Sequence, residues 1–222
     1  MKSKLLLRIF AVVSALAGLG FLVSVVYPIV SYEINKKDRF SAYLSATPTP
    51  VDFTKASNWF PTLDTPFVPN NVTFYTISVP KLNIENATVA IGGEDLSESL
   101  IQYPGTAMPG KRGNAVIFGH SILPQFYNPK DYISIFSKLP DLRRGDEVHI
   151  VYDGVSYKFR IEESVEVEPT DTEVLEQNLS DAFVTLVTCV PPGDPRRPRR
   201  LVVKARIIPL TGYNTQYENL GN

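Results

Sequence analysis

Cysteine is almost missing from this chain: Cys189 is the only one in 222 residues. No disulfide can close within it, so the lone thiol must either pack or react. Histidine is nearly as scarce, and imidazole chemistry has only His120 and His149 to draw on. Neither sign of charge prevails, with 22 Lys and Arg against 23 Asp and Glu, a net charge of -1 and a pI near 6.2. That balance excludes the basic field that nucleic acids require of a partner. Ligand spacing for a metal is lacking too, since Glu94, Asp95 and Glu98 follow no calcium-loop pattern. No cofactor is implied and no internal repeat is present.

What the chain does have begins with an apolar run. Ile9 to Val30 contains no charged residue, and at about 1.5 Å per residue it covers roughly 33 Å, enough to cross a bilayer core. Ala15-Leu16-Ala17 has the small-x-small form of a cleavage site, but apolar sequence continues well beyond it, which favours an uncleaved anchor over a signal peptide. Lys2, Lys4, Arg8 and the α-amino group precede the span, while Lys36, Lys37 and Arg39 follow it. The excess of positives on the short side predicts a cytoplasmic tail at 1–8, a single-pass anchor at 9–30, and the bulk of the chain outside.

Residues 31–71 read as a tether. Ala46-Thr47-Pro48-Thr49-Pro50 is a semi-rigid spacer pattern that Pro61, Pro66 and Pro69 continue. From 72 to 210 strand signals dominate, and residues 211–222 form a tail. The expected strands cover 72–79, 87–91, 115–118, 147–152, 156–161, 164–167, 182–189 and 201–208, with Asp153-Gly154 turning a hairpin between two of them. Asp95 to Leu100 reads as a capped helical turn, and Ile133 to Leu139 as a short helix stopped by Pro140. About eight short strands with little helix predict a mostly β domain, either a closed barrel or a sandwich.

The chemistry concentrates around Cys189, which ends the apolar run Phe183-Val184-Thr185-Leu186-Val187-Thr188 and leads into Val190-Pro191-Pro192-Gly193-Asp194. A second apolar run, Ala115-Val116-Ile117-Phe118, ends at Gly119-His120, and Arg196, Arg197, Arg199 and Arg200 precede the strand at Leu201. A thiol, an imidazole and a guanidinium suffice for cysteine-based acyl transfer. His149 lies within a strand, between Val148 and Ile150, and reads as structural. Strand parity alone does not separate Arg199 from Arg200; the apolar register behind them favours Arg200.

Three segments taken together resemble the sortases, the membrane-anchored cysteine transpeptidases of bacterial surfaces. They are Thr185-Leu186-Val187-Thr188-Cys189, Gly113-Asn114-Ala115-Val116-Ile117-Phe118-Gly119-His120, and Arg200-Leu201-Val202-Val203-Lys204-Ala205. Pro80-Lys81-Leu82-Asn83-Ile84 and Tyr103-Pro104-Gly105-Thr106-Ala107 are also similar to family segments. The resemblance implies a closed eight-stranded β-barrel. It implies a Cys189 nucleophile that forms a thioester with a surface protein's sorting signal, His120 as the proton carrier, and Arg200 as the oxyanion and substrate-backbone donor. The same motif puts Thr185 and Thr188 forward as substrate-binding residues.

The expected partners are a sorting-signal peptide, an amine acceptor on a cell-wall precursor, and the membrane. Within the family the alternative is a pilin polymerase whose acceptor is a lysine. Outside it stand the peptidoglycan L,D-transpeptidases, whose Ser-His-Gly-Cys signature is absent, and an anchored binding barrel with an inert thiol. Asp64-Thr65-Pro66-Phe67 is similar to the lid of some pilus-building sortases, so residues 59–67 read either as lid or as plain tether.

Overall fold

The computed structural model describes residues 2–34, 55, 73–196 and 198–209. Nearly all of the expected 31–71 tether, including the lid-like 59–67, and the 211–222 tail lie outside these residues. The N-terminal run forms one α-helix, α1 (Lys2–Ile34), that outlasts the apolar span at both ends. Its stretch Phe10–Pro28 is long and apolar enough to cross a membrane, and none of it is buried against the rest of the protein.

Eight strands follow: β1 (Phe74–Val79), β2 (Ile84–Ile91), β3 (Leu100–Gln102), β4 (Gly113–Phe118), β5 (Glu147–Tyr152), β6 (Val155–Val167), β7 (Ala182–Val190) and β8 (Arg199–Ile207). They close into a barrel in the order β1-β2-β3-β4-β7-β8-β6-β5. Only β2–β3 and β4–β7 pair in parallel. The barrel, rather than the sandwich, is therefore the architecture. The β5–β6 hairpin turns at Asp153 and Gly154, with φ of 50° and 74°, the left-handed pair that a two-residue turn requires.

Eight is the expected number of strands, but two differences offset each other. The stretches read as 156–161 and 164–167 are one strand, β6, whose pairing with β8 slips between Ile161 and Glu163. That irregularity breaks the inward–outward alternation and makes one strand look like two. The compensating addition is β3, three residues buried throughout and too short to show a period. Leu100 thus belongs to a strand rather than a helical turn, although Asp95 does accept from the Ser97 amide at 2.8 Å as a cap would. The expected helix at 133–139 is a series of turns: Ser137 N–H donates to the Ser134 carbonyl and Leu139 N–H to Phe136, three residues back rather than four.

β3, β4 and β7 are buried on both faces, whereas β1, β5 and β6 bury only one. Ile77, Ile84, Leu100, Ile117, Val148, Phe159, Val184, Leu186, Leu201 and Val203 fill the interior. A second apolar cluster joins Val116 and Phe118 of β4, Val187 and Cys189 of β7, and Val202 of β8 with Leu96 and Leu175. Along each strand the two clusters alternate, so the second coats the outer face of the β4–β7–β8 sheet. Leu96 comes from the β2–β3 connection and Leu175 from a 3-10 turn before β7. Beside Leu96, Asp95 forms a β-bridge with Lys55 of the tether.

Candidate active site

β7 carries the thiol, and its two neighbours carry the other groups. Antiparallel pairing sets Cys189 directly opposite Arg200 on β8, while Arg199 stands opposite Val190. Arg200 has the parity of Val202 and therefore shares the outer face with Cys189. Arg199 has the parity of Leu201, and its Nε lies 3.3 Å from Glu166 Oε2. The ambiguity between the adjacent arginines is one of parity, and register removes it: Arg200 is the arginine beside the cysteine.

On the other side, β4 runs parallel to β7 with Phe118 matched to Val187. Gly119 N–H extends the ladder to the Val187 carbonyl at 3.1 Å, and two further residues in this register bring His120 alongside Cys189. Gly119 has to be small. A Cβ there would sit 2.5 Å from Leu100 Cδ2 and 2.5 Å from Phe136 Cδ2, closer than carbon atoms approach. Phe136 N–H in turn donates to the His120 carbonyl at 2.9 Å.

All three groups are withdrawn from solvent: Cys189 is 3% exposed, His120 4% and Arg200 0%. The strand runs one residue past Cys189, to Val190, so the thiol is buried within the strand rather than placed at an open strand end. Low exposure strengthens each electrostatic contact that forms there, because water screens it less.

Thr185 shares the outer parity of Cys189 and donates from Oγ1 to Asn114 Oδ1 at 2.7 Å. Thr188 has the inward parity and donates to the Gly119 carbonyl at 2.7 Å. Ser121, which the sequence reading assigns no role, donates to the Cys189 carbonyl at 2.6 Å. His149 lies on β5, separated from β7 by β8 and β6, with Nε2 3.0 Å from Glu147 Oε2. Among the described residues no His, Cys, Asp and Glu form a metal-holding group.

The loop after Cys189 is fixed by a buried carboxylate. Asp194 accepts from the Arg196 amide at 2.9 Å, from Nε at 3.0 Å and from Nη2 at 2.6 Å. The Arg196 side chain holds its pKa below the ordinary carboxyl value, against the opposing effect of burial. A carboxyl lowered on folding stabilises fully above its unfolded pKa of about 3.9, and the contribution is lost as pH falls through the lower folded value. Asp194→Asn is therefore expected to melt below the wild type at pH 7, with the two curves converging as pH falls through the lowered folded value. Thermal unfolding monitored across that range checks it; a gap that stays constant down to the lowest pH would remove the charge from the account.

A lone thiol thus lies on the outer face of a closed barrel, one strand from a buried guanidinium and beside a histidine-bearing strand end. The family model of the sortase domain matches residues 77–208. Among solved structures, a sortase D5 transpeptidase of Clostridium perfringens is 29% identical at a TM-score of 0.53, covering 64% of this chain and 82% of that one. Sortase A from Corynebacterium diphtheriae, as a lid mutant, is 26% identical at a TM-score of 0.54, covering 65% and 74%. A pilus-related sortase C of Group B Streptococcus is 26% identical at a TM-score of 0.54, covering 65% and 71%. Comparison with curated proteins gives no match. The family model spans more than half of the chain, and the chain belongs to the sortase family of cysteine transpeptidases.

Proposed function

We propose that the protein is a membrane-anchored sortase that cleaves the C-terminal sorting motif of surface proteins and joins the new carboxyl end to an amine on a cell-wall precursor. The observation that carries this reading is the shared outer face of Cys189 and Arg200, paired in register, with the His120 strand end alongside. The Cys189 thiolate attacks the scissile carbonyl, and the carbon–sulfur bond forms as the carbonyl oxygen becomes an oxyanion. Arg200 donates to that oxygen with a charge that does not titrate. Collapse breaks the carbon–nitrogen bond, and His120 gives the departing amine its proton. In the second half the acceptor amine attacks the thioester and gives a proton to His120, and the carbon–sulfur bond breaks to release the thiolate, which restores the starting pair.

Thr185, on the face of the thiol, is the substrate-binding threonine of this reading, whereas Thr188 supports the strand end from the barrel side. Val187, Phe118, Val202 and Leu175 give the groove an apolar floor and wall for the motif's side chains. The helix at Phe10–Pro28 holds the domain at the outer surface of the membrane, where such substrates emerge.

A lysine acceptor on a second protein subunit is the second reading, favoured by the likeness to the pilus-related sortase C of Group B Streptococcus. Cleavage of a peptide library with and without added amines tests both. The proposal expects cleavage after one short motif, with product shifted to the amide when a peptidoglycan-stem amine is present. Transfer to lysine side chains alone would move the assignment to the second reading. Absence of any cleavage, together with a Cys189 that resists alkylation in the native state, would leave an inert binding barrel.

A further inference from the structure

The two strands that carry the thiol and the imidazole are stitched together at their ends by a pair of buried hydroxyls. Backbone pairing of β4 and β7 reaches Gly119 N–H on the Val187 carbonyl. Beyond it the Thr188 hydroxyl donates from β7 to the Gly119 carbonyl at 2.7 Å, and the Ser121 hydroxyl donates back to the Cys189 carbonyl at 2.6 Å. The two bonds run in opposite directions and bracket His120: one grips the residue before it, the other leaves from the residue after it. On the β7 side they involve Cys189 itself and the residue before it. Ser121 and Thr188 are both buried, so water does not compete for either hydroxyl and each bond is short and directed.

We propose that Ser121 and Thr188 form a reciprocal hydroxyl clasp that sets the distance between the Cys189 thiol and the His120 imidazole. The inference rests on the transpeptidase reading above and makes Ser121 and Thr188 positioning residues that act through the backbone of their neighbours. Proton delivery to a leaving amine depends steeply on placement; an error of about 1 Å in a reacting group can cost roughly a hundredfold in rate. The surroundings hold the clasp in place. Ser137 Oγ accepts from the Ile122 amide at 2.8 Å, and the Phe136 amide donates to the His120 carbonyl at 2.9 Å, so the segment after β4 is anchored from the opposite side as well. Thr188 and Ser121 lie 69 and 68 residues from their partners along the chain, so the clasp is a tertiary device and not part of a local turn.

The test uses the full-length protein and the fastest-cleaved library peptide, prepared both as the amide and as a thioester of the same acyl part. The amide needs a proton at its leaving nitrogen, whereas a thiolate departs without one. Ser121→Ala and Thr188→Val are each expected to slow single-turnover acylation from the amide by about 10- to 100-fold, with KM unchanged. Acylation from the thioester should slow by no more than about threefold, because it bypasses the proton that His120, held by the clasp, delivers. Thr188→Ser, which keeps the hydroxyl, should recover most of the loss. Equal slowing on both substrates would make the hydroxyls merely structural and overturn the inference, as would no slowing on either. Should Ser121→Ala fail to fold, the Thr188→Val and Thr188→Ser pair decides alone, since the two differ in the hydroxyl. Failure of the underlying reading shows separately: acyl-enzyme formed by Cys189→Ala would sink the thiol mechanism whatever the clasp does.

Discussion

Replacing Cys189 with alanine is expected to abolish both cleavage and transfer while the barrel remains folded. The change removes one sulfur atom from the outer-face cluster of Phe118, Val187 and Val202. Losing one buried heavy atom costs about 1 kcal/mol, within what a domain of this size tolerates. The chemical loss is of another order. Without the thiolate no thioester forms, and removal of a covalent nucleophile lowers turnover on the order of 10^4-fold or more, the residue being set by the remaining binding and oxyanion groups. Incubation with substrate peptide followed by intact-mass measurement reads the outcome directly. A covalent adduct on the alanine variant would be inexplicable by cysteine chemistry, since the chain contains no second cysteine. Circular dichroism of the same sample separates loss of chemistry from loss of fold.

Much of this architecture was legible in the sequence, for identifiable physical reasons. Fully buried strands such as Ala115–Phe118 and Phe183–Cys189 read as near-continuous runs of apolar and β-branched residues because both of their faces are covered, one by the barrel interior and one by the outer cluster. The Asp153-Gly154 turn was legible because few residues tolerate its backbone angles. β3 was not, since three residues cannot display a period, and β6 read as two strands because pairing slips midway along it. The apolar spacing at 133–139 reports burial correctly, with Ile135, Phe136 and Leu139 all in the core. Burial does not determine hydrogen-bond pattern, and the chain there makes successive turns.

The site was legible in residue type and not in arrangement. Cys189 and His120 could be picked out as the only thiol and one of two imidazoles, but adjacent arginines at a strand start differ only in which face they occupy. The apolar register behind them favours Arg200, and pairing with β7 sets that residue opposite Cys189. Ser121 and Thr188 meet their partners across about seventy residues of chain, and hydroxyls are too common for either to attract notice alone. The thiol is buried in an outer cluster that includes Leu96 and Leu175, and both arrive from connections outside the strands.

Loss of His120 is the second large effect expected, and it should depend on the leaving group more steeply than any other substitution. An amine cannot depart as an anion, so without a proton donor the tetrahedral intermediate returns to substrate. His120→Ala is accordingly expected to lower turnover of the peptide amide by about 10^2- to 10^4-fold. On a thioester of the same acyl part most of that deficit should vanish, because a thiolate leaves unprotonated. His149→Ala is the control. Its imidazole is bound to Glu147 on β5, two intervening strands away from β7, and its loss should change turnover by less than about twofold, in the range of surface substitutions. Single-turnover acylation of both variants with both substrates gives four rates. If His149→Ala is the slower enzyme on the amide, the acid has been assigned to the wrong histidine. If His120→Ala is equally impaired on amide and thioester, then His120 serves the attacking thiol or the fold rather than the departing nitrogen.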